Sequence, residues 1–452
     1  MSSKRDLVEA HAFSRRRLVT AFLSGAPGGR EVEPARPGRA VVGGVAVSVL
    51  LLAGGAIAGV IAPRTPSDWL EAGIVIAKET GADYAIVEKG DPLRPLANTV
   101  SGQLIFGKPD LAPKTVKHEE IARQEIGDAI GIFGAPDSLP TADLLVGTGW
   151  TACANDSGGM HVRIDRQPGA RPAPGGAVVV PTGGGDFLVT ASPSGAHRLQ
   201  LPRDATRRAD LLNAFGNPTS VPAGGDWLNL FPVGDPLGAQ SFPVRGAGTR
   251  TSYGAGLGRV GDLVVTDNNR TYLLGDEAPV ELDPFALAVY REVVRRVEPR
   301  QVAALGVEAS GDFPTWPTAV PGPLDGEACA VLDAQRGEPA TALLATDAGG
   351  PGSAAGLGDR TRGSVTPGLG AYVRTAGHGQ VSGGQPWVID AQGTRYRLGG
   401  PEGETAAALG YASYAVPTIP DVWVELFDCG PELSRQAAVA EPDASAVDAC
   451  AG

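Results

Sequence analysis

Residues 227–237 read WLNLFPVGDPL and residues 423–433 read WVELFDCGPEL, two copies of one spacing, WxxLFxxGxxL. Trp227, Leu230, Phe231, Gly234 and Leu237 therefore have counterparts in Trp423, Leu426, Phe427, Gly430 and Leu433. Upstream of each copy stands a hairpin signal, two β-branched or apolar runs parted by turn residues, at 186–201 (DFLVTASPSGAHRLQL) and 386–398 (PWVIDAQGTRYRL). A third such hairpin is 262–274 (DLVVTDNNRTYLL), and a fainter fourth is 74–87 (IVIAKETGADYAIV). Three of the four are followed by a short Ala/Leu-rich stretch of helical character, clearest at 283–297 with Pro284 at the first helical position. Each repeat is about 45 to 70 residues, too small to bury a core alone, so the copies must pack on one another or on a shared middle.

Two stretches carry no repeat signal, 119–165 and 298–346, and each holds one cysteine, Cys153 and Cys329. Four cysteines allow three pairings and spacing does not choose among them. A central domain built from these two pieces and stapled by Cys153 and Cys329 is the economical arrangement. Cys429 and Cys450 then form a second bridge closing the tail or remain free. Glycine/proline-rich joints at 167–185 and 349–363 mark the exits from that centre.

Composition agrees with a β-rich α+β chain: 64 glycines and 38 prolines in 452 residues, about twice the usual share, favour short strands and turns over long helices. Charge is divided by position. Residues 1–39 hold eight Lys/Arg against four Asp/Glu, and the remainder holds 30 against 46. The boundary is 40–62, AVVGGVAVSVLLLAGGAIAGVIA, with no charge, amide or proline; as a helix it would extend ~34 Å, enough for a ~30 Å hydrocarbon core. A secretory signal peptide is the competing reading, but the preceding polar stretch and the apolar run are both too long for one. Arg15, Arg16, Arg17, Arg30, Arg36 and Arg39 precede the span and only Arg64 closely follows it, which puts the N-terminus in the cytoplasm. Gly55 and Gly59 have GxxxG spacing, read as chance in a chain this rich in glycine. All four cysteines then face an oxidising compartment.

Before the span, 3–23 contains no glycine or proline and opens on a Ser3/Asp6 capping pattern, so it reads as a helix. Leu7, Leu18 and Phe22 share one arc of it with Arg15 inside that arc. Two roles compete, a basic helix lying on anionic lipid or an arm docked on a cytosolic partner; a short arm without a core of its own favours docking. The expected domains are a cytoplasmic helix (1–24), a flexible linker (25–39) and a transmembrane helix (40–62). An elongated extracytoplasmic domain follows. It opens with the first repeat (69–118) and the first segment of the central domain (119–165), continues with the second repeat (177–240) and the third (252–297), and returns to the central domain (298–346). The fourth repeat (364–433) and a flexible tail (434–452) complete it.

Chemistry is mostly excluded. The chain has six lysines, and its one Gly-Lys pair, Gly107-Lys108, is followed by Pro109, so no phosphate loop exists. No GxSxG nucleophile elbow occurs. The five histidines lie away from the cysteines and lack helical ligand spacing, which argues against zinc. Asp267, Asn269 and Thr271 begin like a calcium loop, but Tyr272 and Ala278 stand where glycine and glutamate are required. The tryptophans could stack sugars, yet at repeat-equivalent positions Trp227, Phe231, Trp423 and Phe427 read as core. The acidic ectodomain argues against nucleic acid or anionic lipid as its partner.

Several segments together resemble a known family. The basic helix opening SKRDLVEAHAF, the single span, 93–107 (LRPLANTVSGQLIFG), 131–140 (GIFGAPDSLP) and 149–153 (GWTAC) resemble EccB, the bitopic subunit of actinobacterial type VII (ESX) secretion systems, nearly from end to end. The resemblance implies a structural component of an inner-membrane channel with no cofactor. Its cytosolic helix would bind the EccC-type ATPase and EccD, with EccE as a further membrane subunit, and its ectodomain would meet its own copies and the mycosin protease. The family is often labelled an ATPase; this sequence offers no phosphate site for that label. A cell-wall anchor binding peptidoglycan in grooves between repeats is the alternative. Cys429 and Cys450 depart from the family's commonest pattern.

Overall fold

The computed structural model describes residues 3–24, 41–52 and 66–444, apart from 255, 312, 336, 348 and 351–352. The chain forms two compact units, 1–65 and 66–452. In the first, α1 (Lys4–Ser24) is capped where the Ser3/Asp6 pattern predicts: the Ser3 amide donates to Asp6 Oδ2 at 3.0 Å and the Arg5 amide to Ser3 Oγ at 3.1 Å. Residues 41–52 are helical and are α2. The linker 25–39 and residues 53–65, which include the end of the expected span, lie outside the described residues, and no described helix is long and apolar enough to cross a membrane.

The second unit begins with β1 (Gly73–Ala77), β2 (Asp83–Ile86), β3 (Arg94–Pro95), α3 (Thr99–Phe106) and β4 (Lys114–Val116), then α4 (His118–Ile121). Three strands of another sheet follow, β5 (Thr151–Ala154), β6 (Met160–Ile164) and β7 (Arg171–Pro172). The next group is β8 (Gly176–Thr182), β9 (Gly185–Ser192), β10 (Gly195–Gln200), α5 (Ala205–Ala214), β11 (Thr219–Ser220) and α6 (Gly225–Asn229). After it come β12 (Leu263–Thr266), β13 (Thr271–Leu274), β14 (Pro279–Leu282), α7 (Pro284–Val289) with a π turn through Val294, β15 (Arg300–Val302) and the short β16 (Gly322–Pro323). The middle sheet resumes with β17 (Glu327–Asp333), β18 (Thr341–Asp347) and β19 (Thr361–Val365). Last are β20 (Ala371–Ala376), β21 (Gln385–Ile389), β22 (Thr394–Arg397), α8 (Glu404–Ala408), β23 (Thr418–Pro420), α9 (Asp421–Val424), β24 (Asp428–Cys429) and α10 (Arg435–Ala438).

Four small sheets share one topology. In each, three antiparallel strands run in spatial order third, second, first, and a fourth strand lies parallel to the first: β3-β2-β1-β4, β10-β9-β8-β11, β14-β13-β12-β15 and β22-β21-β20-β23. The connection from third to fourth strand carries a helix, α3, α5, α7 or α8, as a parallel pairing requires a crossover. The clearest of these starts as read: Asp283 Oδ1 accepts the Ala286 amide at 2.8 Å, with Pro284 behind it.

The four hairpins read from the sequence are not equivalent. Those at 262–274 and 74–87 are the first and second strands of their sheets, whereas those at 186–201 and 386–398 are the second and third. The strand missed in the second repeat is β8, GAVVVPT, buried at its first five positions. A strand covered on both faces loses its period of two and reads as a plain apolar run; between prolines and glycines it passed for a joint. β20, AYVRTA, is buried at four of six positions and was likewise not read as a strand.

The six-stranded sheet β19-β6-β5-β17-β18-β7 lies between these repeats. It is symmetric about Cys153 and Cys329: Ala328, Cys329 and Ala330 stand opposite Ala154, Cys153 and Ala152. A pseudo-two-fold through that pair exchanges the hairpin β5–β6 with β17–β18, the first repeat with the third and the second with the fourth. The cores follow the same operation. Val100, Leu104 and Ile105 of α3 pack with Ala406, Ala408 and Tyr372 of the fourth repeat, and Leu211 and Phe215 of the second pack with Phe285 and Val289 of the third.

The boundaries shift accordingly. The central sheet includes β7 and β19, outside 119–165 and 298–346, while β15 within 298–346 closes the third repeat. Ile130 and Ile132 pack in the core shared by the first and fourth repeats. The tail 434–452 is not wholly flexible: the Ser434 hydroxyl caps α10, Ala438 is buried, and the Ala440 carbonyl accepts the Gly131 amide at 3.1 Å. Residues 445–452 lie outside the described residues.

The spacing WxxLFxxGxxL has a geometric cause. Trp227 and Trp423 sit in α6 and α9, and the chain after each runs beside the third strand of its repeat. The Gly234 amide donates to the Arg198 carbonyl at 3.0 Å and that of Leu237 to Gln200 at 2.9 Å; the Gly430 amide donates to Arg395 at 2.9 Å and that of Leu433 to Arg397 at 2.8 Å. A Cβ on Gly234 would enter the Leu199 side chain, and one on Gly430 the Tyr396 ring. Tyr396 is held by its hydroxyl on Asp390 Oδ2 at 3.0 Å and cannot swing aside. Gly430→Ala is therefore expected to cost about 1 to 3 kcal/mol, more than Gly234→Ala, whose obstacle is a flexible leucine; urea melts of the two variants give the comparison.

Candidate functional site

The two faces of the central sheet differ. Strand alternation puts Cys153, Cys329, Val331 and Ala345 on one face, all fully or almost fully buried. The two sulfurs are bonded, across adjacent antiparallel strands and between residues 176 apart in sequence. Cys429 is also disulfide-bonded, and Cys450, the one cysteine left, lies outside the described residues. The opposite face presents Ala152, Ala154, Ala328 and Ala330, small enough for large rings to lie against the backbone. Trp227, Phe231, Trp423 and Phe427 are buried there, from the second and fourth repeats at once. Trp227 and Phe231 meet edge-on at 4.9 Å, and Phe427 meets Trp150 at 5.8 Å. These indoles offer no surface for stacking a sugar.

The expected docking residues lie on α1. Leu7, Leu18 and Phe22 are exposed, Phe22 at 93%, and Arg15 is exposed beside them. Within the described residues α1 presents this apolar arc uncovered.

A cleft of about 1000 Å³ opens between the second repeat and the central sheet. No sequence motif marks it, because its walls come from β10, the β17–β18 turn and the β20–β21 loop. His197 on β10 is buried, with Nδ1 3.2 Å from the Gly195 carbonyl and 3.1 Å from Ser192 Oγ. His378 at the exposed loop tip donates from Nε2 to the Asn229 carbonyl at 3.0 Å. Asn229 Oδ1 in turn accepts from Arg198, whose buried Nε has no hydrogen-bond partner. Burial is the chief cause lowering the pKa of His197, opposed by the Gly195 carbonyl and the Asp235 charge and reinforced by His378. Desolvation by the same walls is the chief cause for His378, opposed by Asn229 and Asp421 and reinforced by Arg198.

A histidine whose folded pKa is depressed favours the folded state while neutral. That contribution is whole above the unfolded value near 6.5 and is lost as pH falls below it toward the folded values. Urea midpoints are therefore expected to drop between pH 7 and pH 5, and the drop should shrink in the double variant His197→Gln, His378→Gln.

No group of three or more His, Cys, Asp or Glu able to hold a metal occurs among the described residues. Gly107 is the left-handed cap ending α3, and the Lys108 amide turns back to the Gln103 carbonyl at 3.2 Å. Phosphate is cradled at helix N-termini, so this glycine–lysine pair has the wrong polarity for a nucleotide.

The family profile for type VII secretion system ESX-1, transport TM domain B, matches residues 1–447. The chain belongs to the EccB family. Among curated relatives it is 26% identical to the ESX-3 secretion system ATPase EccB3 of Mycobacterium tuberculosis, covering 91% of this chain and 85% of that protein. It is 29% identical to the ESX-1 secretion system ATPase EccB1 of Mycolicibacterium smegmatis, covering 91% and 89%. Among solved structures its fold is similar to a chain of the intact ESX-5 inner membrane complex, with TM-score 0.64, 22% identity and coverage of 98% and 96%. It is also similar to EccB3 from the dimer of the ESX-3 core complex, with TM-score 0.63, 22% identity and coverage of 81% and 100%.

Proposed function

We propose that this chain is a structural core subunit of a type VII secretion complex in the cell membrane. The match to the EccB family profile over residues 1–447 of this chain carries this reading. Residues 40–62 cross the membrane once, the N-terminus is cytoplasmic, and the disulfide-bearing unit faces the periplasmic side. The arm α1 docks through Leu7, Leu18, Phe22 and Arg15 on an EccC-type ATPase, with EccD and EccE as neighbouring membrane subunits. The ectodomain contacts further copies of itself and the mycosin protease, with peptidoglycan as the alternative partner. The subunit transmits structure and hydrolyses nothing: the purified chain is expected to show no ATP turnover above a buffer blank.

Affinity purification of the tagged full chain in mild detergent tests the assembly. Phe22→Ala should lower the yield of associated membrane subunits while leaving the chain membrane-inserted, because burying a phenylalanine anchor is worth about 2 kcal/mol or more at a hot spot. At least one of Arg15→Lys, Arg16→Lys and Arg17→Lys should do the same, since lysine cannot reproduce a forked pair. Unchanged yield in all four variants would return α1 to the lipid surface.

A further inference from the structure

We infer that the cleft between the second repeat and the central sheet binds a monoanionic ligand through a carboxylate that pairs with Arg198. The molecule's own symmetry names the missing group. Arg198 on β10 and Arg395 on β22 are equivalent residues, since their carbonyls accept the amides of Gly234 and Gly430, the matching glycines of the two WxxLFxxGxxL copies. Two positions after the tryptophan of that spacing, the second repeat has Asn229 and the fourth has Glu425. Both arginines are half-buried, each with an Nε shut off from solvent and without a hydrogen-bond partner. Their surroundings differ in charge. Burial is the chief cause lowering the pKa of Arg395, and the Glu425 carboxylate opposes it; burial alone lowers that of Arg198, with no carboxylate to oppose it.

The geometry at Arg198 shows where a carboxylate fits. Nη1 donates to Asn229 Oδ1, a neutral acceptor, and is the one guanidinium nitrogen with a partner among the described residues. Nε is buried, whereas Nη2 is unpartnered and not buried. Nε and Nη2 make up one edge of the guanidinium plane, an edge that takes a carboxylate through two parallel hydrogen bonds. Asn229 is held in place by its own carbonyl, which accepts from His378 Nε2 at 3.0 Å. A desolvated cation without a counter-charge is costly. The fourth repeat meets that cost with Glu425; the second has asparagine instead, and it is at this arginine that a cleft of about 1000 Å³ opens.

The walls limit the rest of the ligand. Pro172, Pro193, Pro232 and Leu343 line the cleft and suit an apolar body. Asp333 and Glu338 line it as well and repel a second negative charge, so the ligand carries a single carboxylate. A peptide terminus with apolar last residues and a small branched acid share this chemistry.

The test is titration calorimetry on the full chain in detergent micelles with two probes, acetyl-alanyl-alanyl-valyl-leucine with a free terminal carboxylate and 4-methylpentanoate. The C-terminal amide of the same peptide is the neutral control. Saturable binding of at least one acid is expected, at least tenfold tighter than that of the amide, and the tighter acid tells a chain terminus from a free small acid. Asn229→Glu rebuilds the arrangement of the fourth repeat; its internal carboxylate should occupy Arg198 and weaken acid binding at least tenfold at an unchanged or higher thermal midpoint. Arg198→Gln should weaken it as much. No saturable binding of either acid, equal binding of acid and amide, or acid binding unchanged in Asn229→Glu would each overturn the inference. Should Arg198→Gln unfold, Asn229→Glu decides, because Asn229 is exposed.

Discussion

Replacing Cys153 with serine is expected to destabilise the ectodomain by about 2 to 5 kcal/mol. The bridge joins residues 176 apart in sequence, and the chain-entropy estimate for so long a loop is about 5 kcal/mol, an upper figure because measured bridges usually give less. Both sulfurs are fully buried at the centre of the sheet where the two halves of the pseudo-two-fold meet. Cys153→Ser also buries a hydroxyl in a pocket of alanine and valine, a further penalty of about 1 to 3 kcal/mol if it stays unpaired. The double variant Cys153→Ala, Cys329→Ala keeps the first loss and avoids the second, so it should be the more stable of the two. Urea melts of both variants, with and without reductant, separate the terms. A wild-type midpoint insensitive to reduction of this bridge would show that packing of the halves alone holds the sheet.

This bridge was legible because its cysteines fell in the two stretches without repeat signal, and the sheet that joins them is what the repeats surround. Likewise Trp227 and Trp423 announced themselves, since the glycine seven residues on must press against a neighbouring strand and fixes the spacing. Burial on both faces hid β8, whose apolar run has no alternation to betray a strand. Position hid α10, a single turn near the end of the chain that is ordered by packing rather than propensity. The cleft had no sequence signature at all. Its histidines, 197 and 378, are brought together only because the fourth repeat's loop reaches the second repeat.

The same symmetry makes the second large effect a comparison. Trp227 and Trp423 occupy equivalent positions and are both buried on the alanine face of the central sheet. Truncation of either to alanine should cost about 3 to 5 kcal/mol, as expected for an aromatic-sized hole in a packed core. Phenylalanine should tell them apart. The Trp227 indole donates from Nε1 to the Ala152 carbonyl on β5 at 2.9 Å, whereas Trp423 Nε1 is buried without a hydrogen-bond partner. Trp227→Phe gives up a made bond and some ring volume. Trp423→Phe gives up similar volume but also removes an unsatisfied donor, whose burial carries a standing penalty of about 1 to 3 kcal/mol. Trp423→Phe is accordingly expected near neutrality, and Trp227→Phe about 1 to 2 kcal/mol below the parent. Thermal or urea melts read the difference. Equal costs for the two phenylalanine variants would mean that the Trp423 donor is satisfied in solution, and that the two halves are closer to true symmetry than their hydrogen bonds indicate.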